Sequence, residues 1–223
     1  MISARDISIG YGRKVVRKGI SFDAPQGECI LLCGANGTGK STLLRTIAGI
    51  LPLPPDSEGP NPGRQLLVKG RSVLVPTHIP KIKGFTVKDF VRTGMYRESG
   101  WAWKLSPAGE TQLQDSLRLL ALEDIASDDI SRISDGQFQK ACIAAALVRQ
   151  PANILLDEPT AYLDPDNREM VLETLRRVAG ETGATVIFST HDIHDALAYV
   201  DEIFTLSPYM KLFETFSGKV SYL

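Results

Sequence analysis

Apolar positions follow two patterns along the 223-residue chain. Glu28 to Cys33, Ile154 to Leu156 and Ala184 to Phe188 carry continuous apolar runs without polar alternation. Such runs predict strands buried on both faces of a parallel sheet. Shorter β-like pieces lie at Ile7 to Ile9 and Ile20 to Phe22, separated by glycine and basic residues, and again at Leu66 to Val68 and Val73 to Val75. Helical spacing governs much of the rest. Thr42 to Ala48 predicts a helix stopped by Gly49 and Pro52. From about Thr86 to Arg149 the pattern is mostly helical: Val87, Phe90 and Val91 share one face, and Leu113, Leu117, Leu120 and Ala121 repeat at helical spacing. Another helix is expected from Pro165 behind an Asp164 cap, with Val171, Leu175 and Val178 inward. A last amphipathic helix is expected after His191, with Ile193, Ala196, Leu197 and Val200 inward. The proline- and glycine-rich stretch LPLPPDSEGPNPG reads as a loop.

Strands alternating with helices on this scale predict an α/β fold: a parallel-sheet core with a small antiparallel N-terminal β region. The helical stretch reads as a lobe inserted into that core, and no repeat or linker marks a second domain. The expected division of 1–223 is a core of 1–85 and 151–206, a helical lobe of 86–150, and a tail of 207–223. The tail reads as a short closing strand or an interaction segment. Composition adds limits. With 25 basic and 26 acidic side chains the net charge is -1, so bulk charge offers nothing to nucleic acid, and no nucleic-acid partner is expected. No apolar run approaches the roughly 18–20 residues of a spanning helix, and the start, MISARDISIGYG, has no signal-peptide core. The expected location is the cytosol, with any membrane contact made through a partner. Cys29, Cys33 and Cys142 cannot all pair internally. Cys29 and Cys33 have ligand-like spacing, but their apolar strand favours buried free thiols.

Candidate chemistry begins at Gly34. The stretch GANGTGKS (Gly34, Ala35, Asn36, Gly37, Thr38, Gly39, Lys40, Ser41) fits G-x-x-x-x-G-K-[ST] between an apolar strand and a helix. That is where a phosphate-cradling loop belongs. Its backbone N–H groups and the helix N-terminus attract phosphate. Lys40 supplies a movable charge for the β- and γ-phosphates, Ser41 a hydroxyl for Mg²⁺, and Thr42 is placed to reach the α-phosphate. ATP or GTP binding follows. In NILLDEPT, Asn153 to Thr160, a strand ends in two carboxylates. Asp157 suits Mg²⁺ and Glu158 suits polarisation of the attacking water. Pro159 forces the chain to turn.

These motifs, taken with the segments around them, resemble the ABC ATPases. ISDGQ, Ile133 to Gln137, is similar to the family's LSGGQ signature, and AYLD, Ala161 to Asp164, resembles its D-loop. His191 in STHD resembles the switch histidine. Tyr11 in GYG stands where the family places an adenine-stacking aromatic, an ordinary packed or exposed tyrosine being the alternative. The resemblance runs from about residue 2 to 206. It implies a P-loop NTPase fold and an ATPase that uses ATP and Mg²⁺. It further implies a head-to-tail dimer of two copies sandwiching two ATP molecules, in which Ser134, Asp135, Gly136 and Gln137 complete the partner's site in trans. His191 and Glu158 would be catalytic, and Asp164 would link the two sites. Integral membrane permease subunits, and a substrate-binding protein, are the other implied partners. The chain would then sit peripherally on the inner face of the membrane.

Two site residues depart from the family pattern. Thr77, in VPTHIP, stands where a Mg²⁺-approaching glutamine is usual, with His78 as the other candidate. Asp135 replaces the first signature glycine. The stretch between Val68 and Val73 is also shorter than usual for the family. Phe85 to Ser106 resembles the matching region of ATPases from iron-siderophore, haem and cobalamin importers, above all around Gly94 and Tyr96. Tyr96, Trp101 and Trp103 would pack either on a permease helix or on the lobe's own core. Import of an iron–siderophore or a related metal complex is therefore the expected activity. The alternatives are a haem or lipoprotein exporter ATPase, or a soluble ABC ATPase of DNA repair or translation.

Overall fold

A computed structural model describes residues 1–55, 63–95, 105–207 and 216–223. Six parallel strands form the central sheet, in the order β5-β6-β7-β3-β8-β9. These are β3 (Cys29–Cys33), β5 (Ser72–Val75), β6 (Asn153–Asp157), β7 (Thr185–Ser189), β8 (Glu202–Thr205) and β9 (Lys219–Tyr222). β3 sits inside the sheet, Leu31 lying between Phe188 of β7 and Ile203 of β8. Its side chains alternate between two cores. Cys29, Leu31 and Cys33 join one and Ile30 and Leu32 the other, so every position is buried. That is why the run is apolar throughout. The three thiols are free and buried, and burial pushes each up to about 12.

A three-stranded antiparallel sheet of β1 (Ile2–Tyr11), β2 (Lys14–Ala24) and β4 (Gln65–Val68) covers one face, in the order β2-β1-β4. Its Ile2, Ile7, Ile9, Ile20 and Phe22 pack with Ile30, Leu32 and helix α1 (Lys40–Ile47). On the other face lie α2 (Val87–Thr93), α3 (Pro107–Leu119), α4 (Asp135–Leu147) and α5 (Pro165–Thr182). Val87, Val91, Leu113, Leu117, Leu120, Ala141 and Ala144 share one core with Leu31, Leu156 and Phe188. The helical insertion is thus welded to the sheet by a continuous apolar cluster. Gly94, after α2, permits one close approach: a Cβ there would lie 2.1 Å from the Ala145 carbonyl oxygen of α4.

The structure departs from the sequence pattern after His191. The expected amphipathic helix is one short α turn, α6 (Ile193–Ala196), followed by a 3-10 turn, Leu197–Tyr199. Val200 is already extended, and the Asp201 carboxylate accepts the Cys29 backbone N–H at 2.9 Å. The chain must straighten there to enter β8 beside β3. Of the predicted inward residues, Ala196 and Val200 are buried, while Ile193 and Leu197 are half-buried. The described end of the tail is a closing strand, β9, parallel to β8. Tyr96, Trp101 and Trp103 lie outside the described residues.

Candidate functional site

The loop from Gly34 to Gly39 leaves the carboxyl end of β3 and enters α1 at Lys40. Gly39 has φ 105, in the left-handed region, and a Cβ there would sit 3.2 Å from both Ile9 Cδ1 and Val16 Cγ1. Glycine is therefore required on two counts. Thr38 Oγ1 donates to the Ala35 carbonyl at 2.8 Å. Lys40 folds back over the loop, its Nζ donating to the carbonyls of Gly34 at 2.8 Å and Ala35 at 3.4 Å. Among the described residues no side chain caps α1. Its first N–H groups lack intrahelical acceptors and present the positive end of the helix to an anion.

Two strands away, β6 delivers Asp157 and Glu158. Glu158 adopts φ 56, left-handed for a residue with a side chain, a strain of about 1–3 kcal/mol that a fixed surrounding must hold. Ser189 at the end of β7 supplies part of that fixation. Its hydroxyl donates to Asp157 Oδ1 at 2.9 Å and accepts the Glu158 backbone N–H at 3.1 Å. The Glu158 carboxylate accepts the His191 backbone N–H at 3.1 Å, and His191 Nε2 lies 3.2 Å from its other oxygen. Burial raises the Glu158 carboxyl above the ordinary carboxylate value, against the opposing pull of His191 and Lys40. A carboxyl raised in this way holds a proton more readily than a solvated one, as suits a group that handles protons.

These parts open onto one cleft of about 490 Å³, lined by Tyr11, Val16, Asn36, Gly37, Gly39, Lys40, Ser41, Thr42, Thr77, Asp157, Glu158 and His191. It lies at the carboxyl ends of the strands, where open α/β sheets bind ligands. Tyr11 is 45% exposed, and its hydroxyl meets Thr42 Oγ1 at 3.3 Å and Arg45 Nη1 at 3.5 Å. The Ser41 hydroxyl and the Asp157 carboxylate are hard oxygen donors facing the same space. That set suits Mg²⁺, which binds through few protein oxygens plus substrate phosphate. Thr77 lines the cleft, and His78 lines the adjoining pocket with Thr77 and Lys81.

The signature stretch lies elsewhere. Ser134 caps α4, accepting the Gln137 N–H at 3.1 Å, while Gln137 Oε1 accepts the Ser134 N–H at 2.9 Å. None of Ser134, Asp135, Gly136 and Gln137 lines the cleft. Asp164 caps α5 and accepts the Asn167 N–H at 2.9 Å, and that bond, with the Asn167 side chain, holds its carboxyl below the ordinary value. Asn167 in turn accepts Lys140 Nζ of α4 at 2.9 Å, so the signature helix and the Asp164 turn are joined within one chain. Sequence reasoning missed Val16 and Ser189 as parts of the site. Neither carries a signal in the sequence, since each reaches the site through the pairing of neighbouring strands.

A parallel sheet with a glycine-rich loop after one strand and paired carboxylates after another defines a P-loop nucleotide hydrolase. The particular family is equally plain: residues 17–161 match the ABC transporter family model, and the chain belongs to that family. The achromobactin transport ATP-binding protein CbrD of Dickeya dadantii is 30% identical over 207 residues, covering 91% of this chain and 77% of that protein. The petrobactin import ATP-binding protein FpuD of Bacillus anthracis is also 30% identical over 207 residues, covering 91% and 76%. Among solved structures, a metal-chelate type ABC transporter in an inward-facing conformation superposes with TM-score 0.77 at 26% identity, over 92% of this chain and 79% of that one. The chain is an ABC ATPase subunit that binds ATP with Mg²⁺ and hydrolyses it.

Proposed function

We propose that two copies of this chain close head to tail on two ATP molecules and so drive a membrane permease that imports an iron–siderophore or a related metal complex. The single observation that carries the dimer is the separation of the two half-sites. The cleft gathers Lys40, Ser41, Asp157, Glu158 and His191, while Ser134 to Gln137 form the start of a different helix and do not line it. A chain so built cannot use its own signature on its own nucleotide. One chain alone hydrolyses poorly.

Within each half-site the roles follow from position. Tyr11 and Val16 form an aromatic and aliphatic wall for the adenine. The N–H groups from Asn36 to Thr42 surround the phosphates. Lys40 exchanges the neutral carbonyls of Gly34 and Ala35 for phosphate oxygens, a gain because the acceptor is then charged as well as the donor. Ser41 and Asp157, with Thr77 in the same cleft, would hold Mg²⁺, which would supply positive charge against the phosphates. Glu158 accepts a proton from the attacking water, and Ser189 keeps Asp157 and Glu158 in fixed relation. His191, already bonded to Glu158, holds the γ-phosphate geometry. Ser134, Gly136 and Gln137 of the second copy close the site, and Asp164 connects it to the other one.

The lobe of 86–150 is the surface offered to the permease, and a substrate-binding protein would deliver the cargo from outside. In this reading the chain sits on the cytoplasmic face, attached through the permease; among the described residues no helix is long and apolar enough to cross a membrane. The cargo reading rests on the likeness to the siderophore ATPases and on the resemblance around Gly94. Isolating the chain from native membranes in mild detergent tests both. The expected result is co-isolation of a many-helix permease, with siderophore-iron uptake lost when the chain is deleted. Recovery only with ribosomes or DNA contradicts the transporter. Undiminished iron uptake contradicts the cargo.

A further inference from the structure

Asp135 and Lys81 meet on the surface of α4. Asp135 occupies the first helical position after the Ser134 cap, so its carboxylate stands at the positive end of the helix. It also stands beside the residues that, in the dimer proposed above, approach the partner's γ-phosphate. Left alone, that carboxylate would spend the helix's positive potential on itself and repel the incoming phosphate. It is not left alone. Lys81 Nζ lies 2.8 Å from Asp135 Oδ1 and donates to the Ile133 carbonyl oxygen at 2.7 Å. The same ammonium stands 5.6 Å from the centre of the Phe138 ring. Three groups on one turn of chain, Ile133, Asp135 and Phe138, thus hold one charge in one place.

Stability does not account for this arrangement. The side chains of Lys81 and Asp135 are 24% and 74% exposed, and ion pairs that accessible add little to folding. Placement accounts for it better. Lys81 belongs to the segment 76–86, which joins β5 to α2 and carries Thr77 near its start. Thr77 lines the ATP cleft, and it also lines a neighbouring pocket together with Lys81, Asp135, Phe138 and Gln139. One stretch of backbone therefore touches the chain's own nucleotide site at Thr77 and its own signature turn at Lys81.

We propose that Lys81 is a positioning residue of the ATP sandwich: it cancels the charge of Asp135 and fixes the signature turn for the partner's γ-phosphate, linking it to the segment at this chain's own nucleotide. The inference rests on the head-to-tail reading above. It also explains how this chain tolerates a carboxylate in its signature. The charge brought by Asp135 is answered by a cation from the segment that carries Thr77, so two unusual residues are parts of one device.

The test uses the full chain carrying Glu158→Gln, which keeps bound ATP from being consumed. Light scattering during an MgATP titration gives the ATP concentration for half-maximal dimer. Adding Lys81→Met should raise it roughly five- to tenfold, the size of a modest coupling between sites. Adding Asp135→Gly to that variant should bring it back to within about twofold of the control, because no charge is left to cancel. Asp135→Gly without the lysine change should need no more ATP than the control, which keeps the test decisive should Lys81→Met fold poorly. An unchanged titration for Lys81→Met overturns the inference. So does a double variant as weak as Lys81→Met, since Lys81 would then act through Ile133 or Phe138 alone. Higher ATP demand from Asp135→Gly by itself also overturns it. If the Glu158→Gln control never dimerises, the head-to-tail reading falls first and the inference with it, an outcome distinct from a control that dimerises and a Lys81→Met variant that matches it.

Discussion

Lys40 is 8% exposed and keeps its ammonium on two loop carbonyls, so the nucleotide site is shaped before the nucleotide arrives. The loop pays no large ordering cost on binding, and the lysine only changes acceptors. Removing it deletes charge-assisted bonds to phosphate, worth about 1.5–3 kcal/mol apiece. Lys40→Ala should therefore weaken ATP binding by at least about tenfold, measured by titration with a fluorescent ATP analogue. Retention of wild-type affinity would remove the loop from the site. Glu158 and Asp157 were legible as chemistry because adjacent carboxylates at the end of an apolar strand have few structural uses. Ser189 was not, since its two bonds, to Asp157 and to the Glu158 backbone, depend on β6 and β7 being neighbours. Val16 was hidden for a similar reason: it reaches the cleft through the pairing of β2 with β1, which its own sequence does not advertise. Lys81 and Asp135 are 54 positions apart (135 minus 81), and nothing local marks them as a pair.

At the scale of elements, the signature is first a helix cap. Ser134 and Gln137 satisfy each other's backbone N–H groups in a capping box, as Thr86 and Asp89 do for α2. Such a box leaves the start of α4 stiff and its first turn defined, which suits residues proposed to meet another subunit. Ser134→Ala should lower stability by about 1 kcal/mol through the lost cap, read from urea unfolding, before any effect on turnover is considered. No loss of stability would mean that the cap is carried by Gln137 and the backbone alone. The helices with strong starts were legible: Pro165 behind Asp164 begins α5 as its sequence says, and Asp164 caps it. β8 was not legible, because EIFT is short and opens on a glutamate. That Glu202 is buried, its charge met by Lys219 of β9 at 2.8 Å and its carboxylate accepting the Ser221 hydroxyl. The short helix after His191 escaped for the same kind of reason, its length being set by where β8 must begin.

At the scale of the molecule, one apolar cluster runs from the sheet through the helical insertion, and a second joins the sheet to the antiparallel β layer. The two half-sites are therefore parts of a stiff body. The cleft opens at the strand ends, the signature at the tip of α4, and Lys140 with Asn167 ties the signature helix to the Asp164 turn. In the proposed sandwich such a body completes its catalytic site with a second copy, and closing or opening that pair is the motion proposed to move a permease. The measurement that tests this most directly is the mass of the Glu158→Gln chain by light scattering, with and without MgATP. The account predicts a monomer without nucleotide and a stable dimer with MgATP, reversed when ATP is removed. A chain that binds ATP yet remains monomeric at every concentration would contradict it.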